Sequence, residues 1–171
     1  MDDTEITVEI ILRPVCIEDS QTLLAWRNEP GTIPWMGSAR ELSFEEHHNW
    51  LINSLDNKNI LILIIEMNTI PVGQIRYQKD TSWIENTAKV SINIAQKMHG
   101  KGIASIAFKQ GSELIRKLGF AYNIFAYVRL NNLGSIKAME NAGYKRGKII
   151  TVHDIDHLMM EDRRTTKTRE G

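Results

Sequence analysis

The sequence predicts one α/β domain with mixed strands and helices. Three observations carry this: segments of period 2 interleave with segments of period 3.6, Gly, Pro and Asn clusters separate them, and the length suits a single core. At 171 residues the chain can bury one substantial core, whereas two domains would be cramped. The domain is expected to run over 1–163, with a polar tail at 164–171.

Taken in order, Ile6 to Leu12 reads as a first strand stopped by Arg13-Pro14. Glu18 to Trp26 reads as a short helix with Leu23 and Leu24 inward, broken by Asn28-Glu29-Pro30-Gly31. Beyond a loop holding Pro34, Trp35, Met36 and Gly37, Ser43-Phe44-Glu45-Glu46 has the form of a capping box, in which hydroxyl and carboxylate satisfy each other's free N–H groups. The helix it opens runs to about Leu55, with Phe44, His48, Leu51 and Leu55 as its stripe and His47 beside it. Asn59 to Met67 is apolar almost throughout, as in a strand covered on both faces, and Asn68-Thr69-Ile70-Pro71 turns it into a partner from Val72 to Gln78.

The polar link Lys79 to Asn86 leads to a strand at Lys89 to Ala95, where Val90, Ile92 and Ile94 alternate with Ser91 and Asn93. A long helix follows, with Ile103, Ile106, Ala107, Phe108, Leu114, Ile115 and Leu118 on one stripe and Gly119 as its left-handed cap. A strand at Tyr122 to Arg129, a helix from near Asn132 to Gly143, and two strands within Tyr144 to Glu161 complete the chain. The last pair turns either at Gly147 or at His153-Asp154.

Composition excludes several function classes. Hydrophobic residues make up 42% and charged residues 25%, a globular balance, and no apolar run nears the roughly 18 residues of a membrane span. The 21 basic residues balance 21 acidic ones, so the bulk charge of a nucleic-acid or anionic-membrane binder is missing. The single cysteine, Cys16, excludes an internal disulfide and reads as a small filler. The acidic start Met1-Asp2-Asp3 does not read as a signal peptide, and a reducing cytoplasm is the expected compartment. His153 and His157 share a strand face without a third ligand, so no metal is expected.

The segment His99-Gly100-Lys101-Gly102-Ile103-Ala104 joins a strand to a long helix through two glycines. A helix N-terminus offers free N–H groups and a partial positive charge, and glycine lets a large anion approach them. The implied ligand is a phosphate or pyrophosphate. Neither the dinucleotide G-x-G-x-x-G nor the G-K-[ST] of a Walker loop is present, and taken alone the segment reads equally as a plain strand-to-helix turn.

Over nearly its whole length the chain resembles the GCN5-related N-acetyltransferases, the GNAT superfamily. His99 to Ala104 is similar to their [QR]-x-x-G-x-[GA] motif, with His99 where Gln or Arg is usual. Asn132-Leu133-Gly134-Ser135-Ile136-Lys137-Ala138-Met139-Glu140-Asn141-Ala142-Gly143-Tyr144 resembles N-x-x-S-I-x-x-Y-E-x-x-G-F. The resemblance implies a mixed sheet of about six or seven strands flanked by about four helices, with central strands that splay apart. It further implies acetyl-CoA as co-substrate, no metal, and direct transfer to a primary amine in a ternary complex. In that reading His99, Gly100, Lys101, Gly102, Ile103 and Ala104 hold the pyrophosphate, the strand edge at Ile92 and Ile94 holds the pantetheine arm, and Asn132 and Ser135 meet its lower end. The family often takes the acid for the leaving thiolate from a tyrosine in the second motif. Met139 stands there instead, and Tyr127 is the candidate substitute acid or water-orienting group; a core tyrosine is an equal reading.

The segments Trp26-Arg27-Asn28-Glu29-Pro30, Trp35-Met36 and Ser43 to His47 are similar to those of the pseudaminic acid pathway N-acetyltransferases, which act on a UDP-linked 4-amino-sugar. This implies Arg27, Met36 and His47 as acceptor-binding residues. An Arg fork suits a diphosphate, although Arg27 near a helix C-terminus is also favourable with the macrodipole in any protein. Similar segments occur in ribosomal-protein acetyltransferases, which modify protein N-termini. A groove lined by Glu45, Glu46 and Glu85 would favour the peptide, and a basic pocket near Arg27 the sugar nucleotide. A third expectation, prompted by Met139, is a CoA-binding module without catalysis. The implied partner is a small-molecule amine, with no nucleic acid and no membrane, and a homodimer is allowed.

Overall fold

The computed structural model describes residues 8–80, 82 and 86–164. The strands are β1 (Ile10–Pro14), β2 (Ile60–Met67), β3 (Ile70–Lys79), β4 (Thr87–Ile94), β5 (Asn123–Arg129), β6 (Lys145–Val152) and β7 (Ile155–Asp162). The helices are α1 (Ser20–Arg27), α2 (Phe44–Leu55), α3 (Ile103–Lys117) and α4 (Leu133–Asn141). All seven strands form one sheet in the order β1-β2-β3-β4-β5-β7-β6, as the predicted class requires. Among the described residues, no helix is long and apolar enough to cross a membrane.

Neighbouring strands are antiparallel except for β4 and β5, which run parallel. This pair is matched only at Thr87↔Asn123, Ala88↔Ile124 and Lys89↔Phe125. Beyond Lys89 the two strands part, and the sheet opens into a V whose vertex lies beside Val90 and Ala126. Splayed central strands are thus a property of the register.

Each face of the sheet carries its own core. Leu63, Ile75, Val90, Ile124, Ala126 and Val128 pack with Ala107 and Phe108 of α3 and Ile136 and Met139 of α4. On the other face, Ile62, Ile64 and Ala95 meet Leu23 and Trp26 of α1 and Leu51 of α2. Burying a side chain of this size stabilises the fold by about 1.5–3 kcal/mol, so both helical layers are anchored by their apolar stripes.

Several boundaries and faces differ from the sequence reading. The first strand starts at Ile10; Ile6 lies outside the described residues. In α2 the buried positions are His47, Leu51 and Ser54, while Phe44 and Leu55 are exposed, so the inward stripe is rotated by one residue. The capping box forms as read: Ser43 Oγ accepts from the Glu46 N–H at 3.2 Å, and Glu46 Oε2 accepts from the Ser43 N–H at 2.8 Å. Ile106 and Leu118 of the α3 stripe are exposed. The last hairpin turns at His153 and Asp154, both left-handed, the geometry of a two-residue turn matched to sheet twist. Gly147 sits instead within the Arg146/Ile149 irregularity of the β6–β7 pairing.

Candidate active site

Strand parity decides what β4 offers to the gap. The Ala95 N–H donates to the Val72 carbonyl at 2.8 Å, in register with Gly73↔Ile94. In an antiparallel pair, residues that exchange ladder bonds alternate with residues that do not. Asn93 and Ser91 therefore turn their backbone groups to β3, while Val90, Ile92 and Ile94 turn theirs toward β5, which has already moved away. The result is an open strand edge able to pair with an extended, amide-bearing chain. His99 uses part of it: its Nε2–H donates to the Ile94 carbonyl at 2.8 Å and ties the loop back to the strand.

That edge runs up to the N-terminus of α3. Gly100 and Gly102 both have φ of 76°, a left-handed backbone that glycine adopts without a Cβ penalty. No side chain caps Gly102, and the Ile106 N–H is the one that reaches back to the Gly102 carbonyl. The amides of Ile103, Ala104 and Ser105 consequently point out of the helix as donors, with the positive end of its dipole behind them. A cavity of about 620 Å³ lies over this cradle, bounded by the residues from His99 to Ser105, by Ile92 and Ile94, and by Asn132 and Ser135. All ten residues assigned to the acyl donor by resemblance line it. Asn132 also caps α4, its Oδ1 accepting from the Ser135 N–H at 3.2 Å.

A second cavity of about 1020 Å³ shares Trp35, Met36, Ile92, Asn93, Asn132 and Ser135 with the first. It gathers Arg27, Met36, His47 and Tyr127. Its charge is one-sided: Arg27, Arg76 and Arg129 line it with His47, His153 and His157, and no Asp or Glu does so among the described residues. Glu45 and Glu46 lie outside it, Glu46 being paired with Arg40, and Glu85 lies outside the described residues. No group of three or more His, Cys, Asp or Glu gathers among the described residues.

Arg27 is buried, and its Nη2 donates to the Ser38 carbonyl at 2.7 Å and to Ser38 Oγ at 2.9 Å. Its Nη1 has no partner among the described residues. Burial, and then the charge of Arg40, lower the guanidinium pKa, though Arg remains ionised. His47 is also buried, with Nδ1 unpartnered among the described residues and its ring 5.0 Å from that of Trp50. Burial first, then Arg27 and His48, push its pKa down, so it is neutral at pH 7. Burial, then the charges of Asp80 and Glu161, raise the Tyr127 pKa; it stays protonated in neutral water, with a hydroxyl that can donate or accept. Met139 is fully buried in the core.

Sequence reading missed Gln74, Arg76 and Asn93. Gln74↔Asn93 and Arg76↔Ser91 are cross-strand neighbours on the face that carries Tyr127 and Arg129, and Gln74 Oε1 and Asn93 Nδ2 are buried without partners among the described residues. The available signal was polar residues on a central strand, since a covered sheet face tolerates them only with partners or a ligand.

Residues 9–145 match the family model for the acetyltransferase (GNAT) domain, and the chain belongs to that acetyltransferase family. An uncharacterized protein of Methanocaldococcus jannaschii, MJ1062, is 27% identical over 143 residues, which is 82% of this chain but 29% of that protein. The chain thus spans under a third of that relative's length. Among solved structures it is similar to the aminoglycoside acetyltransferase AAC(6')-Ib in complex with coenzyme A, at TM-score 0.79 and 20% identity, over 91% of this chain and 95% of that one. It is also similar to a ribosomal-protein-alanine N-acetyltransferase from Brucella melitensis, at TM-score 0.77 and 19% identity, over 90% and 99%. At these identities the structural likeness concerns the fold.

Proposed function

We propose that this chain transfers the acetyl group of acetyl-CoA directly to the primary amine of an anionic small molecule, of the nucleotide-linked 4-amino-sugar type. The observation that carries the reading is the second cavity, lined by three arginines and no carboxylate among the described residues. Aminoglycosides carry several ammonium groups, which such a wall would repel. A peptide N-terminus is the alternative acceptor, but Glu45 and Glu46, which would attract it, lie outside the cavity. A reducing cytoplasm suits the exposed Cys16.

Acetyl-CoA supplies the activated acyl thioester. Its pyrophosphate suits the amides at Gly100 to Ala104, with His99 holding the loop and Lys101 adding charge. Its pantetheine arm suits the free edge at Ile92 and Ile94, and Asn132 and Ser135 meet its lower end. On the acceptor side, Arg27 Nη1 and neutral His47 suit an anionic group, with Met36 at the boundary between the cavities. The amine attacks as the neutral base: an N–C bond forms, the C–S bond breaks, and the amine proton leaves to solvent. Tyr127 is the acid for the departing thiolate, in place of the family tyrosine that Met139 replaces.

Thiol release from acetyl-CoA, followed with UDP-4-amino-sugars and with peptides of free N-terminus, tests the assignment. Turnover on the sugars supports it. Full activity on peptides with none on sugars overturns it, and CoA binding without turnover on any amine supports the non-catalytic alternative.

A further inference from the structure

The second cavity is not confined to one face of the sheet. Gln74, Asn93 and Tyr127 reach it from the α1 and α2 face, but Val90, Phe108, Ala126, Val128 and Met139 also line it, and these belong to the core on the α3 and α4 face. Only the V between β4 and β5 connects the two, since the strands stop pairing after Lys89↔Phe125. The far side of the cavity is thus an apolar recess at the vertex of the V, walled by aliphatic side chains with Phe108 and Met139 at its back.

Resting on the acyl-CoA reading above, the geometry points to this recess as an acyl slot that takes thioesters longer than acetyl, up to about butyryl. A pantetheine arm that starts at the α3 N-terminus and follows the free edge from Ile94 to Ile92 heads toward Val90. Carbons beyond the thioester carbonyl then enter the vertex between Val90 and Ala126. Both walls there are small, and the position where the family places a rigid, hydroxyl-bearing tyrosine holds Met139. A methionine is unbranched, has three rotatable bonds and adapts to irregular apolar contents, so it yields to an alkyl chain where a phenol would present a polar group and a fixed ring.

The test is a calorimetric series with CoA, acetyl-CoA, propionyl-CoA and butyryl-CoA, which reads binding without turnover. Each methylene moved from water into the recess strengthens binding severalfold, so butyryl-CoA is expected to bind about tenfold tighter than acetyl-CoA. Met139→Phe fills the recess and should erase that gain while leaving CoA affinity unchanged. Should Met139→Phe fail to fold, Met139→Ala carries the comparison, keeping the butyryl gain and extending it to hexanoyl-CoA. Equal affinity for acetyl-CoA and butyryl-CoA in the unaltered protein overturns the acyl slot alone. Failure of every thioester and of CoA itself to bind overturns the cofactor reading on which it rests.

Discussion

Gln74 and Asn93 sit opposite each other on β3 and β4, and each leaves a buried amide atom, Oε1 and Nδ2, without a hydrogen-bond partner among the described residues. Unpaired buried polar groups cost about 1–3 kcal/mol each. A pair of them on the wall of one cavity suits a polar ligand. Asn93→Leu is accordingly expected to raise the melting temperature of the free protein and to depress acetyl transfer. Thermal unfolding and initial rates on the same preparation check the two opposite signs.

Arg27 is held by Ser38 through one nitrogen and offers the other to the cavity. Replacing Arg27 by Gln removes the charge but retains donors toward Ser38. The loss of a charge-assisted contact, about 1.5–3 kcal/mol, should raise the acceptor KM about 10- to 100-fold and leave acetyl-CoA affinity unchanged. Steady-state kinetics varying each substrate in turn separates the two.

Gly102 precedes α3 in a left-handed conformation, φ 76°. Ala at this position is strained by about 1 kcal/mol and tilts the first amides of the helix away from their common focus. Gly102→Ala is expected to weaken CoA binding at least fivefold by calorimetry, with the acceptor KM little changed.

His47 yields a pH dependence with a definite sign. Its pKa in the folded protein is lowered, mainly by burial and then by Arg27 and His48. Below the ordinary histidine value of about 6.5 the unfolded chain therefore binds a proton that the folded chain refuses. Its stabilising effect is complete above that value and declines as pH falls toward the depressed folded pKa. Urea unfolding between pH 5 and pH 8 should show this acid loss, and His47→Gln should flatten it.

How much of this was legible in the sequence depended on whether a signal was local. The Ser43–Glu46 capping box and the glycines before α3 each involve residues within a few positions, and each formed as read. The splay of β4 and β5, by contrast, is set by a parallel pairing of residues more than thirty positions apart, and no periodicity announces where such a pair stops. The rotated α2 stripe has a similar cause: His47 is buried, with its ring against Trp50, a tertiary circumstance that outweighs the apolar character of Phe44. His99 departs from the family motif, and the bond it makes, to the Ile94 carbonyl, is a local one.

The second cavity is proposed to recognise an anionic acceptor. Calorimetric titration of UDP into the CoA-saturated protein tests it most directly, since UDP carries the anionic part of the acceptor without the reacting amine. Saturable binding at one site, weakened at least tenfold by Arg27→Gln, is the expected result. No binding of UDP, together with saturable binding of kanamycin or of a peptide with a free N-terminus, would contradict the account.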